Sequence, residues 1–145
     1  MTNQLALNND ASQWERALQM PHYNAKHMPS LSVYQVLHLI QMARSGRFQM
    51  FDYGNSSANW AAYGGPKPPD LAANYGSLVG LPVDLIAGLR DGIVPPENIR
   101  IHLQLMNEAG VEVSYKEFDF GHLDFTFAVK EDLNMYLMKL LLKKK

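Results

Sequence analysis

Apolar residues recur along this chain with two different periods. Leu31, Tyr34, Leu37, His38 and Met42 are spaced by threes and fours, which predicts an amphipathic helix opened by Pro29-Ser30 and stopped at Gly46. The same spacing returns in Ile99, Leu103 and Met106, behind Pro95-Pro96-Glu97 and ahead of Gly110, which is placed to cap the end. It returns again in Leu133, Tyr136, Leu137, Leu140 and Leu141, a helix expected over about residues 130–142 with these side chains toward the core. There Glu131 and Asp132 suit the first turn, and Lys143, Lys144 and Lys145 suit the carboxyl end of the dipole. Val83 to Ala87 has no helical period. Its nearly continuous apolar character suits a parallel strand buried on both faces. Val111 to Phe118 reads as a second strand, so the span forms one βαβ unit with an expected right-handed crossover.

Two regions carry weaker patterns. Residues 1–20 are poorly patterned; Trp14, Leu18 and Met20 fit one side of a short helix or a frayed terminus, and residues 21–145 are read as the domain proper. Phe48 to Gly80 is rich in Gly, Pro, Asn and Tyr, and a long irregular stretch of this kind is usually functional or poorly ordered. Its aromatics, Phe51, Tyr53, Trp60, Tyr63 and Tyr75, either line a pocket or pin the loop to the body, and pinning is the plainer reading. His38 lies on or beside an apolar stripe, where a histidine is ordinarily a packed, hydrogen-bonded residue, and His22 and His27 have no visible partner. Asn55-Ser56-Ser57 fits an N-glycosylation pattern that matters only in a secreted chain.

Composition narrows the classes. With 145 residues, 47% of them apolar and a net charge of −1, the chain has the make-up of an ordinary globular domain. It lacks the basic stripe that nucleic-acid binding needs. The absence of cysteine excludes disulfides and thiolate metal sites. No apolar run approaches the roughly 20 residues of a membrane span, and no signal peptide is expected at Met1 to Asp10.

Candidate chemistry gathers at the two turns that follow the strands. Gly88-Leu89-Arg90-Asp91-Gly92 leaves the first strand, and Phe118-Asp119-Phe120-Gly121-His122-Leu123-Asp124-Phe125 leaves the second. Neighbouring parallel strands lie roughly 4.8 Å apart and deliver both turns to the same sheet edge, where open α/β sheets place their chemistry. Asp91 and His122 are therefore expected to hydrogen-bond, and an acid that orients a histidine is the back half of a serine-hydrolase triad. Asp-Gly is also a common turn without function. Asp84 begins its strand at the wrong edge, and Asp124 suits a bond to nearby backbone. A metal reading of His122 with Asp119 and Asp124 lacks a second histidine at ligand spacing. No serine sits in a G-x-S-x-G elbow: Gly76-Ser77-Leu78-Val79-Gly80 has its glycines misplaced, and Asn55-Ser56-Ser57-Ala58 has no following glycine.

The ordered set Ser32-Val33, His38-Leu39, Ser45-Gly46, Phe51-Asp52-Tyr53-Gly54, Gly88 to Gly92 and Gly121 to Phe125 resembles the carboxy-terminal part of the acid lipases, an α/β-hydrolase family that includes gastric and lysosomal lipases. Two departures stand out: Leu39 replaces the family's usual tryptophan after the histidine, and the nucleophile elbow and oxyanion loop are missing. The resemblance implies the carboxy-terminal portion of an α/β-hydrolase fold, an incomplete mostly parallel sheet with flanking helices. It implies hydrolysis of triacylglycerol or sterol esters with no cofactor or metal, Asp91 and His122 being the catalytic acid and histidine. It also implies a missing amino-terminal half or partner chain, leaves the compartment open, and predicts that the isolated chain is nearly inactive. A non-catalytic relative that docks on another chain through its exposed strand edge is the alternative.

Overall fold

A computed structural model describes residues 31–122, 124–127 and 131–143. The readings made for residues 1–20, His22, His27, Lys144 and Lys145 lie outside them. In chain order the elements are helix α1 (Val33–Ser45), helix α2 (Ser56–Tyr63), a 3₁₀ helix (Ala72–Leu78), strand β1 (Val83–Gly88), helix α3 (Pro96–Glu108), strand β2 (Val113–Phe118), helix α4 (Asp124–Phe127) and helix α5 (Asp132–Lys143). They divide into two compact units, one of residues 31–83 with 104–113, the other of residues 84–103 with the described residues from 114 onward.

In the first unit, α1 begins later than Pro29-Ser30 suggests. Ser32 is its N-cap, and the Ser32 N–H donates to Gln35 Oε1 at 3.0 Å, so a glutamine three residues on satisfies an otherwise orphaned donor. Gly46 ends it with φ 64°, a left-handed conformation that glycine adopts without steric cost. His38 is half-buried; its Nε2–H donates to the Gln49 carbonyl at 2.7 Å and its ring meets Phe51 edge-on.

The Phe48 to Gly80 stretch is structured rather than irregular. Asn55 caps α2 by accepting the Ala58 N–H at 2.7 Å, and Gly64 closes it with φ 70°. Buried Asn59 is the hub: its Oδ1 accepts the Tyr53 N–H, and its Nδ2 donates to Asp52 Oδ1 and the Pro66 carbonyl. The Asn59 side chain and the Gly54 N–H together hold the Asp52 carboxyl below the usual aspartate range. Tyr34, Phe51, Tyr53 and Tyr63 meet ring to ring, and the Tyr63 hydroxyl donates to the Phe51 carbonyl. These are anchoring contacts; Tyr75 is buried, whereas Trp60 is exposed. Composition alone missed this order because the bonds are side chain to backbone, which leaves no periodic trace.

Helix α3 ends as expected. Gly110, at φ 80°, donates to the Asn107 carbonyl while Val111 donates to Met106, the paired bonds of a Schellman ending, and Met106 and Val111 are both buried.

β1 and β2 pair in a two-stranded sheet. Val83 donates to Glu112 and Leu89 donates to Phe118, an equal advance along both strands that makes them parallel. Burial on both faces is not what β1 shows. Only Ala87 and Gly88 are buried and Val83 to Ile86 are half-exposed, and β2 is the one strand paired with β1 among the described residues. In the second unit α3 is tied to β2 by Arg100 Nε, which donates to Glu117 Oε1 at 2.8 Å. On α5, Leu133, Tyr136 and Leu140 turn inward as predicted, and Tyr136 packs edge-on against Phe118. Leu141 does not turn inward: it is 65% exposed, and Leu137 is also exposed, so the buried stripe is narrower than the sequence suggests.

Candidate functional site

Both strands of the pair run toward one edge, and each releases a turn there. Gly88 lets the turns converge. A Cβ at this position would stand 2.5 Å from the Phe120 carbonyl oxygen, closer than real side chains come, and a tight 3.1 Å from Phe125 Cε2. With no side chain there, Leu89 N–H reaches Phe118 O at 2.8 Å and Arg90 N–H reaches Phe120 O at 2.9 Å. The chain then folds back, with Asp91 N–H donating to the Gly88 carbonyl at 3.2 Å.

The turn hides the Asp91 side chain, only 5% of which is exposed, and each carboxylate oxygen has its own partner. Oδ1 accepts the N–H groups of Ile93 at 2.9 Å and Val94 at 2.7 Å. Oδ2 lies 3.0 Å from His122 Nδ1. Two backbone donors on one oxygen fix the carboxylate plane, so the second oxygen is aimed rather than free to rotate.

The opposite turn is fixed in a similar way. Gly121 N–H donates to Asp124 Oδ2 at 2.7 Å, and Asp124 N–H donates back to the Gly121 carbonyl at 3.2 Å. Asp124 is buried, opens α4 and closes the loop on which His122 stands. That is the backbone role its position suggested. The His122 side chain remains 38% exposed. Because a carboxylate only accepts, the contact puts the ring proton on Nδ1 and leaves Nε2 with its lone pair. The arrangement can take a proton at Nε2 and stabilise the resulting imidazolium against Asp91.

The other candidates fall elsewhere. Asp119 is turned onto Arg90 and Asp124 onto the Gly121 amide, so neither carboxylate converges with His122. Asp84 sits near the start of β1, away from the end that carries the turns. Ser77 lies in the 3₁₀ helix and donates to the Asn74 carbonyl, while Ser56 and Ser57 open α2. A shallow depression of about 430 Å³ beside β2 and α5 is floored by Phe118, Met135 and Tyr136 and includes neither Asp91 nor His122. Sequence reasoning did not see that Gly88 sets the spacing of the turns, or that Ile93 and Val94 hold the acid. The run from Asp91 to Pro96 carried a signal for the second, since an aspartate two and three residues ahead of free amides, just before a proline-led helix, suits an Asx turn.

No family model matches the chain, and no solved structure matches it. Among curated proteins it is similar to Triacylglycerol lipase 1 of Arabidopsis thaliana, with 32% identity over 110 residues that cover 74% of this chain and 27% of the relative. Gastric triacylglycerol lipase of Rattus norvegicus is 30% identical over 106 residues, 72% of this chain and 25% of that protein. Lipase lipl-1 of Caenorhabditis elegans is 30% identical over 121 residues, 83% of this chain and 29% of that protein. The chain thus spans between a quarter and three-tenths of the length of these relatives.

Proposed function

We propose, from this kinship with triacylglycerol and gastric lipases, that the chain is the carboxy-terminal portion of a serine-type lipase and supplies the acid and the histidine of its triad. One observation carries the assignment of roles: an almost wholly buried carboxylate with one oxygen pinned by two amides presents the other to Nδ1 of a half-exposed histidine. That is what a general base needs from its orienting acid. The nucleophile, a serine outside this sequence, would give its proton to His122 Nε2 as its oxygen attacks the ester carbonyl. His122 would return the proton to the leaving alcohol, and water activated by the same nitrogen would release the fatty acid. Asp91 stays a carboxylate throughout, holding the ring and its transient charge. The substrate class is a carboxylic ester of a fatty acid, triacylglycerol or sterol ester, and the reaction uses no cofactor.

The same proposal covers α1. Val33, Tyr34, Val36, Leu37, Leu39 and Ile40 are all exposed on it, and the remaining lipase sequence, in the same chain or in a partner, would cover them.

A chimera tests the roles. In a related full-length lipase the matched quarter is replaced by this chain, and hydrolysis of a short-chain ester is measured. The chimera is expected to turn over, and His122→Ala is expected to lower kcat by roughly 10⁴ to 10⁶-fold. The 145-residue chain alone is expected to give no turnover. A folded, active chimera indifferent to His122→Ala would overturn the assignment.

A further inference from the structure

We propose that Arg90 and Asp119 form a positioning clamp that locks the two site turns together and so keeps Asp91 aimed at His122 Nδ1. The inference rests on the reading of Asp91 and His122 as acid and base. It assigns a role to two residues that stand beside the Asp91–His122 pair and bond to each other.

The need for a clamp follows from where the ladder stops. Leu89 and Arg90, adjacent in the first turn, donate to Phe118 and Phe120, two residues apart in the second. Regular parallel pairing does not let consecutive amides on one strand bond to the same neighbour. The ladder is therefore already broken at Gly88, and Arg90 N–H to Phe120 O is the last backbone bond between the turns before Asp91 and His122. One bond at the end of a broken ladder acts as a hinge.

The Arg90 side chain supplies what the backbone lacks. Nε lies 2.8 Å from Asp119 Oδ1 and Nη2 lies 2.9 Å from Oδ2, a fork-to-fork pair, and Nη2 also reaches the Asp119 carbonyl at 3.1 Å. Arg90 directly precedes Asp91, and Asp119 stands three residues ahead of His122. The guanidinium therefore holds both the side chain and the main chain of the second turn from a residue adjacent to the acid. A planar fork gripped at both oxygens resists rotation as well as separation, which a point charge does not.

Energetics favour positioning over stability as its role. The Arg90 and Asp119 side chains are 40% and 67% exposed, and ion pairs in solvent contribute little to folding stability. Removing one should scarcely alter the folding equilibrium. A small displacement of one turn is enough, however, to lengthen the 3.0 Å contact between Asp91 and His122 beyond hydrogen-bond range.

The test uses the whole 145-residue chain and reads the His122 ring directly. Long-range proton–nitrogen spectra, recorded at a pH where the ring is neutral, separate the Nδ1–H from the Nε2–H tautomer. The parent chain is expected to hold His122 mainly as Nδ1–H. Arg90→Ala and Asp119→Asn are each expected to lower the Nδ1–H to Nε2–H ratio about fivefold. Arg90→Lys should restore only part of it, and thermal unfolding should hardly move in any of the three. If the parent shows Nδ1–H and Arg90→Ala and Asp119→Asn both leave the ratio unchanged, the clamp is wrong and the acid–histidine pair stands. If the parent itself lacks Nδ1–H, the reading beneath it fails. Full restoration by lysine would reduce the fork to simple charge and overturn the positioning argument.

Discussion

Helix α1 and the pair of turns around Asp91 and His122 differ in what completes them. α1 is begun and ended by its own neighbours, the Gln35 side chain accepting the N-cap amide and Gly46 stopping the helix, while His38 and Gln41 reach 11 residues on to Gln49 and Asp52. Yet its apolar side chains stand largely in solvent, and it has no fully buried residue. The turns are loops whose local bonds shape each one but do not join them. Each turn is braced by short-range bonds, Asp91 to Ile93 and Val94 and Gly121 to Asp124, but the groups that join one turn to the other lie far apart in sequence, 31 residues for Asp91 and His122 and 29 for Arg90 and Asp119. A helix can be complete in its local bonding and still lack a cover. A polar site exists only once its distant pieces have met, and hydrogen bonds then do what burial does elsewhere.

If that contrast is right, the severest change is the smallest in volume. Gly88→Ala drives a methyl group into the Phe120 carbonyl, which cannot move aside without giving up its bond from Arg90. Denaturant unfolding is expected to lose about 2–3 kcal/mol, and the His122 ring spectrum should lose its single tautomer. An unaltered spectrum in a stable Gly88→Ala chain would mean that the close approach does not set the site.

Asn59→Ala should come next, at about 2 kcal/mol, because it strands the Tyr53 amide and the Pro66 carbonyl. Its unit is not the one that holds the pair, so the His122 tautomer should stay put; a shift would show that the two regions are not independently held.

A subtler probe is Asp91→Asn. With its oxygen still accepting from Ile93 and Val94, the side chain would present an NH₂ to His122, and stability should fall by only about 1 kcal/mol. The ring should nonetheless reverse its tautomer, with Nδ1 now accepting and Nε2 carrying the proton. Retention of Nδ1–H would remove Asp91 as the orienting group.

The smallest effect belongs to α1. Leu39 is 57% exposed, so Leu39→Gln should change unfolding by less than about 0.5 kcal/mol. It should also reduce self-association in sedimentation, since an apolar patch is what it dilutes. A loss above about 1 kcal/mol would sharpen the comparison the other way, by showing that this face is already covered in the chain as it stands.

Elements ruled by nearest neighbours were legible in the sequence. The extents of β1 and α3, the Schellman glycine at Gly110 and the stop at Gly46 all follow from spacing and backbone preference. The meeting of Asp91 and His122 was inferable as well, because parallel strands deliver their next residues to one edge and only two turns carried the right side chains. Tertiary structure alone decided the rest: that Asn59 orders the Phe48 to Gly80 stretch, that Gly88 must have no side chain, and that Arg90 grips Asp119. It also decided that Leu141 faces outward and that β1 is buried only at its last two residues. The division has one physical cause. Caps and periods act over a few residues and leave a mark at a fixed spacing, whereas side-chain hubs, close approaches and forks join positions six to about 30 residues apart at no fixed spacing and leave no mark until the backbone has brought them together.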